Sequence, residues 1–366
     1  MVAPVPPKLA VDNDMIKPKR TPLYGRHVDA GGKIVEFAGY EMPVQYSSVI
    51  AEAKAVRESV GMFDVSHMAR LTLTGTAVSE MLEWVTTNDI AKLSNGGGQY
   101  SLLPNPVGGV VDDIIVYRID SEHFELVVNA ANHAKDVAWL RELFGLKVHM
   151  TDRTEETAMI AVQGPRAAKI LPMFADLPLF GTMHGRFAGV NVFAARSGYT
   201  GEDGFELVCE ASEANALWNG LLAAGVLPCG LAARDTLRVE AGLPLYGHEL
   251  TDETSPIASG LGWVVGKHKS FVGSEAVKVA REEGTPRRLL GIKLGSKRLM
   301  SPGMKVFVEG AEVGEVTSGV YSPVLETGIG FAYIDTGTKL GTAATVEIRG
   351  QQEPATITGK RFLKPA

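Results

Sequence analysis

Cysteine is scarce: Cys209 and Cys229 are the only two among 366 residues. Two thiols this far apart make neither a zinc motif nor a disulfide framework. They fit a reducing, intracellular setting. Cationic excess is also missing, since the net charge is −6, and this excludes a broad surface for general nucleic-acid binding. No apolar run approaches the roughly 20 residues that a membrane-spanning helix needs. There are 41 glycines but no phosphate-binding loop: Gly266-Lys267-His268 has Leu261 where the loop's first glycine would stand. Metal-ligand clusters are absent from the pattern as well. His67 lies near Asp64 and His248 precedes Glu249, yet neither gathers further ligands, so both are expected to be hydrogen-bonded structural residues and no metal is expected. Residues 1–20 lack the apolar stretch of a signal peptide and end in Lys17-Pro18-Lys19-Arg20. They are expected to form a loose arm on a cytoplasmic protein.

What is present is ordinary globular composition, 45% apolar and 21% charged, in a chain long enough for two or three domains. Ser47 to Val60 has a capping serine, one apolar face and a terminating Gly61, which predicts a helix. Further helices are expected from Asn132 to Gly145, Arg166 to Phe174, Ser212 to Ala224 and Ala232 to Ala241. Short β-runs fall at Leu71–Leu73, Val110–Tyr117, Phe124–Asn129, Met159–Val162, Val190–Ala195 and Phe205–Cys209. Helices and strands do not alternate regularly, which argues against a doubly wound parallel sheet. After about residue 282 helical periodicity fades, and LLGIKL, MKVFVE, EVGEVTSG, GIGFAYI, AATVEIRG and ATITGK read as strands of an all-β barrel or sandwich. Arg281–Arg288, REEGTPRR, reads as the linker.

Three stretches carry chemistry. In GGVVDDIIVYR (Gly108–Arg118) two acids stand side by side inside a β-forming run. Neighbours in a strand face opposite ways, so Asp112 shares a face with Ile114 and Val116, and Asp113 with Ile115 and Tyr117. Both faces are apolar. Either the pair belongs to the turn after the glycines, or one carboxylate meets a ligand's N–H groups. In RSGYTGEDGFEL (Arg196–Leu207), Glu202 and Asp203 read as turn residues, whereas Glu206 is an acid within an apolar strand. A carboxylate fixed there could accept two parallel N–H bonds from a flat heterocycle. Tyr100, Tyr117 and Tyr199 offer stacking surface or ordinary core packing. In GLAARDTLRVE (Gly230–Glu240), Arg234 and Arg238 lie one helical turn apart. Asp235 and Glu240 could neutralise them, or one guanidinium could serve an anionic or carbonyl-bearing ligand.

Together these segments resemble the aminomethyltransferase family, the T-proteins of the glycine cleavage system. The resemblance runs from Thr21-Pro22-Leu23 through FAGYEMPVQY, VGMFDVSHM, GGVVDDIIVY, LVVNAAN, QGP, GYTGEDGFEL, GLAARDTLRVEAGLPLYG, GLGWVV and EVTSGVYSP, nearly the whole chain after the arm. It implies an α+β architecture: two interleaved α/β-type folate-binding domains with antiparallel sheets and a C-terminal all-β barrel, around a central folate cavity. The implied division is 1–20 for the arm, 21–66 with 155–250 for the first domain, 67–154 with 251–281 for the second, and 282–366 for the barrel. Asp113 matches the family's catalytic aspartate, facing the folate's reacting nitrogens, and Asp112 takes a structural role. Glu206 matches the pterin anchor, and Arg234 a substrate-site arginine. Met68, Tyr100, Ile115, Tyr117, Asn129 and Tyr199 match pocket positions.

The implied reaction moves a one-carbon unit. An aminomethyl group on the lipoyl arm of a partner, the H-protein, passes its methylene to tetrahydrofolate. Ammonia and dihydrolipoyl H-protein leave, and 5,10-methylenetetrahydrofolate forms. One departure stands near the C-terminus, where many members carry an arginine and Arg361-Phe362-Leu363-Lys364 occurs here. Lys364 keeps the charge but not the forked geometry, and by its place it is counted with the folate- and substrate-binding positions. Two rival readings share the superfamily. One is a folate-dependent demethylase of a small methylated substrate. The other is a non-enzymatic folate-binding iron–sulfur assembly protein, whose Lys-Gly-Cys-Tyr segment has no counterpart in Lys267–Glu275.

Overall fold

A computed structural model describes residues 17–364. Most of the expected arm lies outside the described residues. Its end is not loose: Lys19–Arg20 is a strand paired in parallel with Tyr40 and Glu41. That strand borders a hairpin of Lys33–Phe37 and Tyr40–Gln45.

Two mixed or antiparallel sheets carry the N-terminal three-quarters of the chain. One has six strands in the order Thr182–Phe187, Val190–Ala195, Gly204–Glu210, Thr157–Gln163, Gly61–Asp64 and Leu227–Pro228. The other has five, in the order Gly97–Pro104, Val110–Arg118, His123–Val128, Ala69–Thr74 and His149–Asp152. Each sheet buries its own apolar face. Trp218, Phe174 and Phe205 fill the first core, and Trp139, Phe124 and Phe144 the second. A third cluster, with Phe63, Tyr117, Met159 and Leu237, lies between the sheets. The Arg70 guanidinium fastens them, donating from Nε to Thr157 Oγ1 at 2.7 Å and from its terminal nitrogens to the Ser66 and Thr157 carbonyls.

The last strands, Arg287–Leu294, Lys305–Val308, Ala311–Ser322, Thr327–Asp335, Ala343–Ile348 and Gln351–Thr358, close into a barrel, which decides between barrel and sandwich. The linker is shorter than REEGTPRR. The helix Ser274–Glu283 runs through its first residues, and the barrel begins at Arg287. The expected helix from Arg166 to Phe174 is broken into Ala167–Ile170 and a 3-10 turn at Pro172–Phe174. Proline lacks the N–H and crowds the preceding turn.

The helix Leu231–Ala241 joins all parts. Arg238 donates to Asp235 at 2.8 Å, Glu249 at 2.8 Å and Ser318 of the barrel at 2.7 Å. Glu240 accepts from Arg57 on one oxygen and from Ser322 of the barrel, at 2.6 Å, on the other. The Phe362 and Leu363 amides then donate to the Glu240 carbonyl, which lays the C-terminal tail across the end of this helix.

Candidate active site

The aspartate strand begins under tight constraint. Gly108 has φ +82°, and a Cβ on Gly109 would stand 1.7 Å from the Asp252 carbonyl oxygen, so only glycine lets the two backbones approach. From there the strand alternates. Asp112 is fully buried, with Ile114 and Val116, while Asp113 and Ile115 turn to a cavity of about 1140 Å³. The turn-residue reading of the pair fails, because both acids lie inside the strand Val110–Arg118.

Asp113 is held from two sides. The Tyr100 hydroxyl donates to Oδ2 at 3.0 Å, and the Asn129 side-chain amide donates to Oδ1 at 2.9 Å. The same amide reaches Asp112 Oδ1 at 2.9 Å, so Asn129 bridges the two carboxyls. Burial, reinforced by the negative charge of Asp112, raises the Asp113 carboxyl to about 7, against the hydrogen bonds from Tyr100 and Asn129. Tyr100 stacks on Trp263, with ring centroids 6.1 Å apart at 23°. Trp263 is 70% exposed although it lines the cavity, so an apolar ring stands at the entrance.

Glu206 and Arg234 lie on a second part of the wall. The strand Gly204–Glu210 places Glu206 opposite Ala161 and Ala195, whose small side chains leave the carboxyl room. Ser197 Oγ donates to Glu206, and Tyr117 meets Ser197 at 3.0 Å. Burial raises the Glu206 carboxyl, while Ser197 and Arg234 act against the rise. The Arg234 guanidinium sits 4.8 Å over the Tyr199 ring, and among the described residues its buried Nη1 has no acceptor. This separates the two arginines of the helix: Arg238 is neutralised within the fold, and Arg234 is left facing the cavity. Glu240 pairs with Arg57 rather than with either.

Of the residues singled out in the sequence, Met68, Tyr100, Asp113, Ile115, Asn129, Tyr199, Glu206 and Arg234 line this one cavity. Tyr117 does not. It is buried between the sheets beside a second cavity of about 450 Å³ and touches the site through Ser197. Lys364 does not either: it is exposed, and the neighbouring Lys360 and Arg361 line the cavity instead. Phe362 stacking on Phe331 and the backbone bonds to Glu240 turn the tail so that its earlier cations face inward. Burial lowers Lys360 to about 8.

His67 also differs from expectation. It is buried on the cavity wall, and among the described residues its Nδ1 has no partner. Burial lowers it to about 4, Asp64 opposing and Arg234 and Arg70 assisting, so the imidazole is neutral at neutral pH. His248 is exposed and its Nδ1 meets the Thr317 carbonyl. Among the described residues no three His, Cys, Asp or Glu side chains gather as a metal site. Trp263, Ser197 and Lys360 escaped sequence reasoning. Only Trp263 left a signal, as the aromatic of GLGWVV.

Comparison with known proteins bears on the same cavity. Residues 23–269 match the GCVT N-terminal domain family, and residues 287–364 match the glycine cleavage T-protein C-terminal barrel domain. The chain belongs to the aminomethyltransferase family. A Thermus thermophilus aminomethyltransferase is 46% identical over 94% of this chain and 99% of its own length. One from Deinococcus deserti is 46% identical over 94% and 97%. The crystal structure of glycine cleavage system aminomethyltransferase T from Bartonella henselae superposes with TM-score 0.89 at 34% identity, covering 95% of this chain and 98% of that one. The chain is an enzyme of the aminomethyltransferase type. No described helix is long and apolar enough to cross a membrane.

Proposed function

We propose that the cavity binds tetrahydrofolate and that the chain transfers to it the methylene of an aminomethyl group carried on the lipoyl arm of the H-protein. The carrying observation is that Asp113 and the Glu206–Arg234 pair share one cavity of about 1140 Å³ in a chain of this family. A reduced pterin presents adjacent N–H donors and a ring carbonyl. Glu206 supplies the acceptor for the donors, and Arg234 Nη1, buried and unpartnered, supplies a donor for the carbonyl. Lys360 and Arg361 place positive charge on the same wall, which suits the carboxylates of a folate tail.

Asp113 then works on the reacting nitrogens. Folate N5 and N10 each form a bond to the methylene carbon, while that carbon's bonds to nitrogen and sulfur break. The two protons lost from N5 and N10 leave on ammonia and on the lipoyl sulfur. Positive charge develops on the methylene and on N5 along the way, and a carboxylate beside them stabilises it. A carboxyl raised to about 7 also exchanges a proton readily near neutrality. Holding the nucleophile against the donor contributes on the order of 7–11 kcal/mol at best. Cys209 and Cys229, both free and buried, suit the reducing cytoplasm where we place this reaction.

The test is an assay with aminomethylated H-protein, with and without tetrahydrofolate, following ammonia and methylenetetrahydrofolate. Tetrahydrofolate should accelerate ammonia release and yield one methylene product per ammonia. Ammonia release indifferent to tetrahydrofolate would reject the reading.

A further inference from the structure

Behind Asp113 lies a third acid that the reaction does not touch. Asp136 is in the first turn of the helix His133–Phe144, four residues after Asn132 and therefore on the same face. It is fully buried, and neither carboxyl oxygen receives an N–H or O–H from any described group. Asn132, on that same face, donates to Asp112 Oδ1 at 2.5 Å, and Asp112 is fully buried too, which brings the two carboxyls into contact away from water. Two ionised carboxylates do not share such a contact away from water, so one of them carries a proton.

The donors decide which. Asp112 receives the Asn129 backbone N–H at 2.9 Å, the Asn129 side-chain amide at 2.9 Å and the Asn132 amide at 2.5 Å. Asp113 receives the Tyr100 hydroxyl and the shared Asn129 amide. Asp136 receives none, so its ionised form is the least supported and the proton belongs there. We propose that Asp136 keeps a proton at neutral pH and through it donates a hydrogen bond to Asp112, so that Asp112 stays a carboxylate behind the cavity wall and keeps Asn129 aimed at Asp113. Asp136 is thus a positioning residue acting through Asp112 and Asn129.

Burial raises the Asp112 carboxyl as well, and the hydrogen bonds from Asp136, Asn129 and Asn132 act against that rise. Burial and the two neighbouring aspartates push Asp136 well above the usual carboxylate range, with Lys135 on its own helix opposing. Lys135 is drawn off, donating to the Tyr246 hydroxyl at 2.6 Å with Asp252 beside it at 3.4 Å. Tyr100 meets Asp113 from the cavity side, and Tyr199, with Arg234 over its ring and Arg238 near it, lines the same cavity. No cation contacts the Asp112–Asp136 pair among the described residues.

The inference about Asp113 rests on the function proposed above, but the proton can be seen without any turnover. In Asp113→Asn protein at pH 7, the infrared spectrum should hold the carbonyl band of a buried protonated carboxyl, and Asp113→Asn/Asp136→Asn should lose it. A band missing from the single variant, or kept in the double, overturns the proposal. In the transfer assay, the acid limb of kcat/KM should keep its position in Asp136→Asn, whose amide donates to Asp112 without titrating. In Asp136→Ala it should move to lower pH by about one unit, a tenfold change in the proton equilibrium, because Asp112 then takes up the proton and its charge near Asp113 is lost. A folded Asp136→Ala with an unmoved limb, or an Asp136→Asn limb displaced as far, overturns it too. Should Asp136→Ala fail to fold, or the wild type show no transfer, the infrared result still decides.

Discussion

Asp112 and Asp113 are adjacent in sequence and opposite in consequence, because a strand turns its side chains alternately. Asp113→Asn should lower turnover by about 10²–10⁴-fold, the usual weight of a proton-handling or charge-stabilising carboxyl. Asp112→Asn should lower it far less. Single-turnover ammonia release compares them, and equal mild losses would count against the assignment. Asp112→Asn should instead act on pH. Burial and the Asp112 charge both raise Asp113 to about 7, so kcat/KM carried by the Asp113 carboxylate rises with pH through that value. Removing the Asp112 charge lets Asp113 ionise more readily, which moves the acid limb to lower pH. Glu206→Gln turns one accepting oxygen into a donor against a donor-bearing ring. Losing one charge-assisted bond of about 1.5–3 kcal/mol should weaken tetrahydrofolate binding by roughly 10- to 150-fold on calorimetry. At this scale the sequence was readable where an acid stands within one strand: acids among apolar residues mark Asp113 and Glu206, which both line the cavity. It was silent on Asp136, which looks like any helix-starting acid until Asn132 and Asp112 are seen against it. It also misplaced the terminal charge at Lys364, since the turn at Phe362 is set by a partner in the barrel.

Among the elements, the helix Leu231–Ala241 fixes the site because its polar residues are divided between the parts of the fold. Arg57 donates to Glu240, Glu202 and the Leu237 and Thr200 carbonyls, and Glu240 is fully buried. Arg57→Met leaves that carboxylate with an unbalanced charge, and should cost about 3–5 kcal/mol in denaturant unfolding. Lys19→Ala, which breaks a pair whose side chains are 53% and 74% exposed, should cost less than about 1 kcal/mol. Similar losses in the two would show that the helix is not pinned as described. The helix itself was legible, expected from Ala232 to Ala241 and found from Leu231 to Ala241. The hairpin of Lys33–Phe37 and Tyr40–Gln45 was not, because its first strand is mostly exposed and carries no clean alternation. The helix expected from Arg166 to Phe174 ran through Pro172, which breaks it.

For the whole molecule, the sheets and the barrel matter together, because the cavity wall draws on both sheets, the joining helix and the residues after the last barrel strand. The barrel was legible from evenly spaced β-runs and lost helical periodicity. The cavity was not, since no local pattern says which faces of separate sheets meet; only the family resemblance pointed to it. A ligand that bridges these parts stabilises all of them by mass action. Tetrahydrofolate at 100 times its Kd should therefore add about 2.7 kcal/mol to folding, read as a rise in Tm, a gain that Glu206→Gln cuts to about 0.3–1.4 kcal/mol at the same concentration. A crystal structure with a bound reduced folate tests the reading most directly. The pterin should lie with its N–H edge on Glu206, its carbonyl near Arg234 and N5 turned to Asp113. A folate bound elsewhere, or one in the cavity with Asp113 turned away from N5 and N10, would contradict it.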